Sequence, residues 1–351
     1  MKKYFDILQQ NTFSKADIIR LLRPADPAEQ KALFQRADSL TRSYFGSGVY
    51  LRGIIELSNV CRRNCAYCGI RAGNSAVKRY RMTLDEIRES TKKIKAAGID
   101  TVVLQSGEDP ENTPEYIEKM IRAIRADMDI VITLSLGEYP VEAYRRWHNA
   151  GAERYLLKFE SSDRNLYRRL HPDCDFDERW QCLKDIRCTG YQLGSGFMVG
   201  LPGQSTEMLA DDLLALAALE PDMAGIGPFI PHPQTPMGNS DNSSTSLALN
   251  VLAVARLVLK DTHLPTTTAL ETLEKDSRLS GMKAGANVIM PNFTPKKYKK
   301  LYEIYPEKAG SADTAEHAME TIARHIRAAG KHIEYGYGHS IKAHFSHPGK
   351  A

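Results

Sequence analysis

The chain predicts an α/β fold, a TIM-type eight-stranded (βα) barrel preceded by a helical extension. Three observations carry that prediction. From about residue 49, short β-branched runs alternate with longer amphipathic segments. Eight such runs occur by residue 290, and eight parallel strands alternating with helices close into a barrel. Glycines recur where helical segments end just ahead of the next run, at Gly98, Gly151 and Gly285, as helix C-termini prefer. At 351 residues the chain is long enough to form such a barrel as one unit.

Residues 1–45 form the extension, with apolar positions at helical spacing: Phe5, Ile7 and Leu8, then Ile18, Ile19, Leu21 and Leu22, then Leu33 and Phe34. Ser14 and Asp26 stand where N-caps belong. The barrel follows over 46–310. Its strands are expected at 50–58, 101–105, 130–135, 154–159, 193–200, 223–229, 265–269 and 287–290. Helices at 83–97, 114–126, 141–150, 206–219, 246–259 and 270–283 separate them. A C-terminal helix and tail occupy 311–351. The tail, HIEYGYGHSIKAHFSHP, holds four of the ten histidines. It reads as a surface-draped terminus, with a metal-binding tract as the alternative.

Composition excludes several function classes. No apolar run approaches the roughly 20 residues that span a bilayer, so no membrane partner is expected. A net charge of +4 is too mild for the concentrated basic stripe of a nucleic-acid binder. The densest basic patch, PKKYKK at 295–300, reads as a solvated helix start. The opening MKKYFDILQQNTFSK has no apolar signal core. Together with free cysteines, that indicates a reducing cytoplasm.

The most informative segment is VCRRNCAYCGI, which places Cys61, Cys65 and Cys68 in a C-x3-C-x2-C pattern with Tyr67 before the last cysteine. Iron–sulfur clusters are held by cysteine thiolates. Three thiolates on a four-iron cube leave one iron open to a small molecule, as in catalytic rather than sealed metal sites. A zinc site normally recruits a fourth ligand, often in a second C-x2-C pair, and none is present. Cys174, Cys182 and Cys188 fall in a segment that reads as helical, where free cysteine behaves as a small hydrophobe. If eight strands close as expected, the cysteine loop follows the first strand at the C-terminal rim, where barrels carry their active sites. Gln105 to Asp109 would follow the second strand, Ser135 to Glu138 the third and Glu160 the fourth.

The cysteine pattern resembles the signature of the radical S-adenosylmethionine enzymes, in which the open iron is chelated by S-adenosylmethionine. Ser106-Gly107-Glu108, one strand later, resembles the motif that meets the cofactor's ammonium. The strings IIELSNVCRRNCAYCGIR, KRYRMT, VVLQSGEDP, RYLLKFE, FMVGLPGQ, GIGPFIPHPQTP and GANVIMPNFTP, from about residue 40 to about 306, resemble the HydE family of [FeFe]-hydrogenase maturases. That resemblance implies one [4Fe-4S] cluster on Cys61, Cys65 and Cys68. It implies S-adenosylmethionine against Tyr67, Ser106, Gly107, Glu108, Ser135, Glu160 and Arg179. It also implies a substrate pocket lower in the barrel, for which Arg154 on strand four and Thr266, Thr267 and Thr268 on strand seven are the candidates. The implied substrate is a small anionic, cysteine-bound iron carbonyl–cyanide precursor. Implied partners are an external electron donor and the other hydrogenase maturation proteins.

Two departures qualify the resemblance. Some members carry three further cysteines near the C-terminus, and this chain has none after Cys188. Phe159 stands where some relatives have histidine, and it can ligate nothing. The competing readings are a methylornithine-synthase-like or biotin-synthase-like radical enzyme and, from another class, a non-catalytic iron–sulfur scaffold. A scaffold has no need of the cofactor-binding motifs.

Overall fold

The fold is that of a computed structural model, which describes residues 3–342. Helices α1 (Tyr4–Leu8), α2 (Lys15–Leu22) and α3 (Pro27–Phe45) open the chain. Ser14 closes a capping box with Asp17, and Asp26 accepts from the Ala28 and Glu29 amides. Both expected caps are therefore in place. Ile18, Leu21 and Leu33 are fully buried and belong to the same hydrophobic core as the barrel.

The chain then alternates: β1 (Gly48–Leu51), β2 (Gly53–Ser58), α4 (Leu84–Ala96), β3 (Thr101–Ser106), α5 (Pro114–Asp127), β4 (Val131–Ser135), α6 (Val141–Ala150) and β5 (Ala152–Leu156). Next come α7 (Arg164–Leu170), α8 (Phe176–Cys188), β6 (Gln192–Ser195), β7 (Met198–Val199), α9 (Thr206–Leu219), β8 (Met223–Ala224) and β9 (Gly227–Pro228). The remainder is α10 (Thr245–Leu259), α11 (Thr268–Leu273), α12 (Ser277–Lys283), β10 (Val288–Ile289), α13 (Lys296–Lys299), α14 (Ala315–Ala328) and β11 (His332–Glu334).

Strands β2-β3-β4-β5-β6-β8 form one parallel sheet, with Ile54 opposite Val103, Thr133 opposite Arg154 and Tyr155 opposite Leu193. Single bridges and the parallel β1–β10 ladder, with Tyr50 opposite Val288, complete the ring. Met223 pairs with His263, Pro265 with Val288, and Asn292 with Ile54 back on the first barrel strand. The expected eight-stranded barrel is present, with its strand C-termini at one rim. The expected helix-end glycines all take positive φ: 76° at Gly98, 111° at Gly151 and 101° at Gly285. No helix among the described residues is long and apolar enough to cross a membrane.

Three expectations need correction. The seventh strand, expected at 265–269, shrinks to single bridges at His263 and Pro265. Thr267 caps a helix instead, its Oγ1 accepting from the Leu270 amide, and Thr268 begins α11. Hydroxyl capping outweighs the β propensity of a threonine run. The fifth strand is interrupted between β6 and β7, where Gly196 takes φ 153° and an added Cβ would lie 2.1 Å from the Gly225 carbonyl oxygen.

The third correction concerns the tail. It forms β11 parallel to β1, and Tyr337 to Ser340 then seal the N-terminal end of the barrel. Arg154 donates to the Tyr337 carbonyl at 2.6 Å, to Gln192 at 3.2 Å and to Thr101 at 3.2 Å, and lies 3.2 Å from His339 Nδ1. Arg52 reaches the Gly338 carbonyl, His263 the His339 carbonyl, and Ser340 the Asp222 carboxylate. His344 and His347 lie outside the described residues.

Arg154 is 3% exposed and anchors this plug. Arg154→Met should therefore destabilise the protein by about 2 kcal/mol or more, since hydrogen bonds to charged groups are lost and buried acceptors are left unsatisfied. Denaturant unfolding of the two chains would measure it, and equal midpoints would show that the plug is not energetically tied to this guanidinium.

Candidate active site at the barrel mouth

The cysteine loop leaves the end of β2 and is fastened by residues of the KRYRMT segment. Arg79 donates to four backbone carbonyls, those of Asn59, Ile70, Arg71 and Asn74, at 2.6–3.2 Å. Asn59 receives the Tyr80 amide and donates to the Lys78 and Leu301 carbonyls. Arg81 pairs in two-pronged fashion with Asp109 at 2.7 and 2.8 Å, and Ser58 donates to the same carboxylate at 2.6 Å. These bonds tie the cysteine loop to the loop after β3. Gly107 lies at their junction, and an added Cβ there would meet the Val60 carbonyl oxygen at 2.4 Å and Cys61 Cβ at 2.6 Å.

A cavity of about 410 Å³ opens beneath this loop. Cys61, Cys65 and Cys68 line it, as do Tyr67, Ser106, Gly107, Glu108, Ser135, Glu160 and Arg179, and deeper in the barrel Thr266, Thr267 and Thr268. One proposed site residue is not brought there. Arg154 lines a separate void of about 10 Å³ toward the plugged end, beyond Leu156 and Met223, which border both spaces. The physical reason is the plug: the tail's carbonyls already take up the Arg154 guanidinium.

The rim carries a chain of alternating charges. Arg63 donates to Glu108 at 2.6 Å and to Glu138 at 2.7 Å, and Glu138 accepts from Arg179 at 2.5 Å. Arg179 also donates to the Lys158 carbonyl at 2.6 Å. It is 7% exposed, so it is no ordinary helix-surface cation. Glu108 is further held by Arg62 and the Glu138 amide, so both its oxygens have protein partners.

Glu160 is different. Its backbone takes φ 63°, in the left-handed region, which strains a residue with a side chain. Its amide and carbonyl are bridged to Gly196 and Met198. Its buried Oε2 has no hydrogen-bond partner among the described residues. Burial raises its pKa, against the opposing charges of Lys158 and Arg179. A strained carboxylate that lines the cavity and has one oxygen buried without a partner among the described residues is suited to accept from ligand hydroxyls.

Burial pushes the thiols up as well, Cys68 to about 12 and Cys65 well above the ordinary value, with the neighbouring thiols adding to the shift at Cys65. Iron–sulfur assembly at such a site displaces protons from the thiols. Three thiols lining one cavity, beside a Glu160 carboxylate whose Oε2 has no partner among the described residues, fit a cube that leaves one iron for a small molecule with a diol.

Sequence reasoning placed Glu138 at the mouth without giving it a partner, and missed Arg63, Arg79 and His171. His171 is 2% exposed, with Nδ1 3.3 Å from Cys65 Sγ. Cys174 lies not in a helix but in the turn before α8, close enough to Cys65 to perturb its charge. Cys182 and Cys188 are in α8. Phe159 stacks on Trp180 and Phe197 at ring-centroid distances of 5.0 and 5.9 Å, a packing role.

The Radical SAM superfamily matches residues 55–216 of this chain. The [FeFe] hydrogenase maturase subunit HydE of Thermotoga maritima is 45% identical over 307 residues, covering 88% of each chain. The 3-methylornithine synthase of Methanosarcina acetivorans is 27% identical over 285 residues, covering 81% of this chain and 80% of its own. Among solved structures, methylornithine synthase superposes with a TM-score of 0.81 at 23% identity, covering 94% of this chain and 97% of its own. That last likeness concerns the fold.

The crowding at Gly107 yields a prediction. Gly107→Ala should push the Cys61 backbone outward, so that anaerobically reconstituted protein holds clearly fewer than the roughly four irons of one cube. Full iron content in that variant would show that the cysteine loop tolerates the displacement.

Proposed function

Because the chain belongs to the HydE family of radical S-adenosylmethionine proteins, we propose that it works as a maturase on a small anionic, cysteine-bound iron carbonyl–cyanide precursor of the [FeFe]-hydrogenase di-iron unit. Radical S-adenosylmethionine enzymes use a [4Fe-4S] cluster and S-adenosylmethionine, a pair that supplies a 5′-deoxyadenosyl radical when reduced. The observation that carries the reading is a single shared cavity: three thiols at its mouth, the unpartnered Glu160 carboxylate beside them and hydroxyl-bearing threonines deeper down.

In this reading Cys61, Cys65 and Cys68 hold the cluster, and Tyr67 offers its backbone to the adenine. Glu160 accepts from the ribose hydroxyls, and Arg179, kept rigid by Glu138, faces the cofactor's carboxylate. Ser106, Gly107 and Ser135 line the path of its amino-acid end. Glu108 acts by orienting Arg63 more than by touching the ammonium, since its oxygens are already engaged. An anionic substrate would find Thr266, Thr267 and Thr268 together with the cavity cations Lys158, Arg278 and Lys299, rather than Arg154. The barrel wall keeps water from a reactive radical. Other maturation proteins and an external electron donor would be the partners.

Two measurements test this. Cys61→Ala, Cys65→Ala and Cys68→Ala should each abolish 5′-deoxyadenosine formation after reduction while the thermal unfolding of the metal-free chains stays near the parent's, because each cysteine is only partly buried and loses a single sulfur. Turnover in any of the three would sink the ligand assignment, and intact turnover without hydrogenase maturation by the parent chain would sink the substrate.

Glu160→Gln should weaken S-adenosylmethionine about tenfold, as expected when a charge-assisted hydrogen bond becomes a neutral one, with iron content unchanged. Equilibrium binding to the reconstituted protein measures this, and undiminished affinity would remove Glu160 from the ribose.

A further inference from the structure

The turn after α7 is docked on the cysteine loop by contacts that do not involve its imidazole. The Ala66 amide donates to the Leu170 carbonyl at 2.8 Å, the Asn64 amide to Asp173 Oδ2 at 2.9 Å, and Arg63 to the Asp173 carbonyl at 3.1 Å. Within this clamp the ring of His171 is held between Tyr167, at a centroid distance of 4.6 Å, and the edge-on ring of Tyr67, at 5.5 Å. Its Nδ1 lies 3.3 Å from Cys65 Sγ, inside the range of a hydrogen bond to sulfur, and its Nε2 is buried without a partner among the described residues. The ring borders the cavity, and among the described residues its one hydrogen-bond contact is Cys65, so its placement has a reason beyond docking.

We propose that His171 is a positioning residue for the cluster, donating an Nδ1–H···Sγ hydrogen bond to the Cys65 thiolate and raising the reduction potential of the iron–sulfur group. The chemistry fixes the tautomer. A thiolate that binds iron only accepts, so the Nε2–H tautomer would set two lone pairs against each other at 3.3 Å and bury an unpaired N–H. The Nδ1–H tautomer removes both penalties and leaves only an unpaired lone pair. A donor on a ligating sulfur favours whichever oxidation state places more negative charge there, and hydrogen bonds to sulfur are among the determinants of cluster potential. His171 would thereby ease the one-electron delivery from the external donor. This inference rests on the cluster assignment to Cys61, Cys65 and Cys68.

The test uses the full chain, reconstituted anaerobically, in three forms: the parent, His171→Leu and His171→Asn. Asparagine places its side-chain amide nitrogen near the position of Nδ1 and can still donate. In a redox titration followed by electron paramagnetic resonance, His171→Leu should show a more negative midpoint than the parent, and His171→Asn should restore most of the difference. A parent-like midpoint in a fully loaded His171→Leu protein would overturn the proposal. Should His171→Leu fail to hold a cluster, the parent decides the matter alone. Labelled with 15N-histidine, its reduced form should show one coupled histidine nitrogen and one coupled deuteron after exchange into D2O, and absence of both would overturn the proposal. A parent chain that takes up no iron at all would instead overturn the cluster assignment, and this inference with it.

Discussion

Glu56 is the residue on which the barrel mouth depends. It sits on β2 with its side chain 6% exposed, and it forms an ion pair with Lys308, itself 7% exposed. Its other oxygen accepts from Asn292 at 3.0 Å, and its amide donates to the Thr294 hydroxyl at 2.8 Å. One carboxylate thus adds a side-chain tie between the first barrel strand and the last, above the β1–β10 ladder and the Ile54–Asn292 bridge that join their backbones. Through Lys308, which also donates to the Tyr302 carbonyl, it holds the segment after α13 over the cavity. Breaking a buried pair leaves an uncompensated charge, which is far more damaging than the pair is stabilising. The seam of the ring and the segment that roofs the cavity are therefore tied through one side chain.

The rim uses buried charge in the same way. Arg63, Glu108, Glu138 and Arg179 alternate in sign, each held by more than one neighbour. Such a network contributes little net stability after desolvation. What it supplies is direction: a guanidinium aimed by a fixed carboxylate cannot swing away when a ligand arrives, so little ordering is left for binding to enforce. Glu160 is the exception in this setting, a carboxylate whose buried Oε2 has no hydrogen-bond partner among the described residues.

Much of this was legible in the chain itself, for a local reason. Cluster ligation demands cysteines a few residues apart, helix ends demand glycine, and parallel strands announce themselves by apolar runs. Each signal is short-range, and the barrel, the caps at Ser14 and Asp26 and the mouth position of the cysteine loop were all readable from it. The exceptions share a different origin. Arg79, with its four carbonyl acceptors, and His171, against Cys65, acquire meaning only when segments far apart in sequence meet. The threonine run was misread as strand because β propensity and helix capping draw on the same residue type. Arg154 was rightly placed deep in the barrel, but its partner is a tail whose polar, glycine-bearing composition resembles any loose terminus.

That tail has a kinetic meaning. The plug's contacts with Thr101, Arg154 and Gln192 span 236, 183 and 147 residues of sequence. Contacts of such separation form late, because the loop-closure entropy is offset only once the partners are already in place. The segment from Tyr337 to Ser340 touches side chains of β3, β5 and β6 at once, and no single hairpin or helix pair presents that set. It can dock only where those three strands already lie in order, so the plug checks the arrangement of the sheet beneath it.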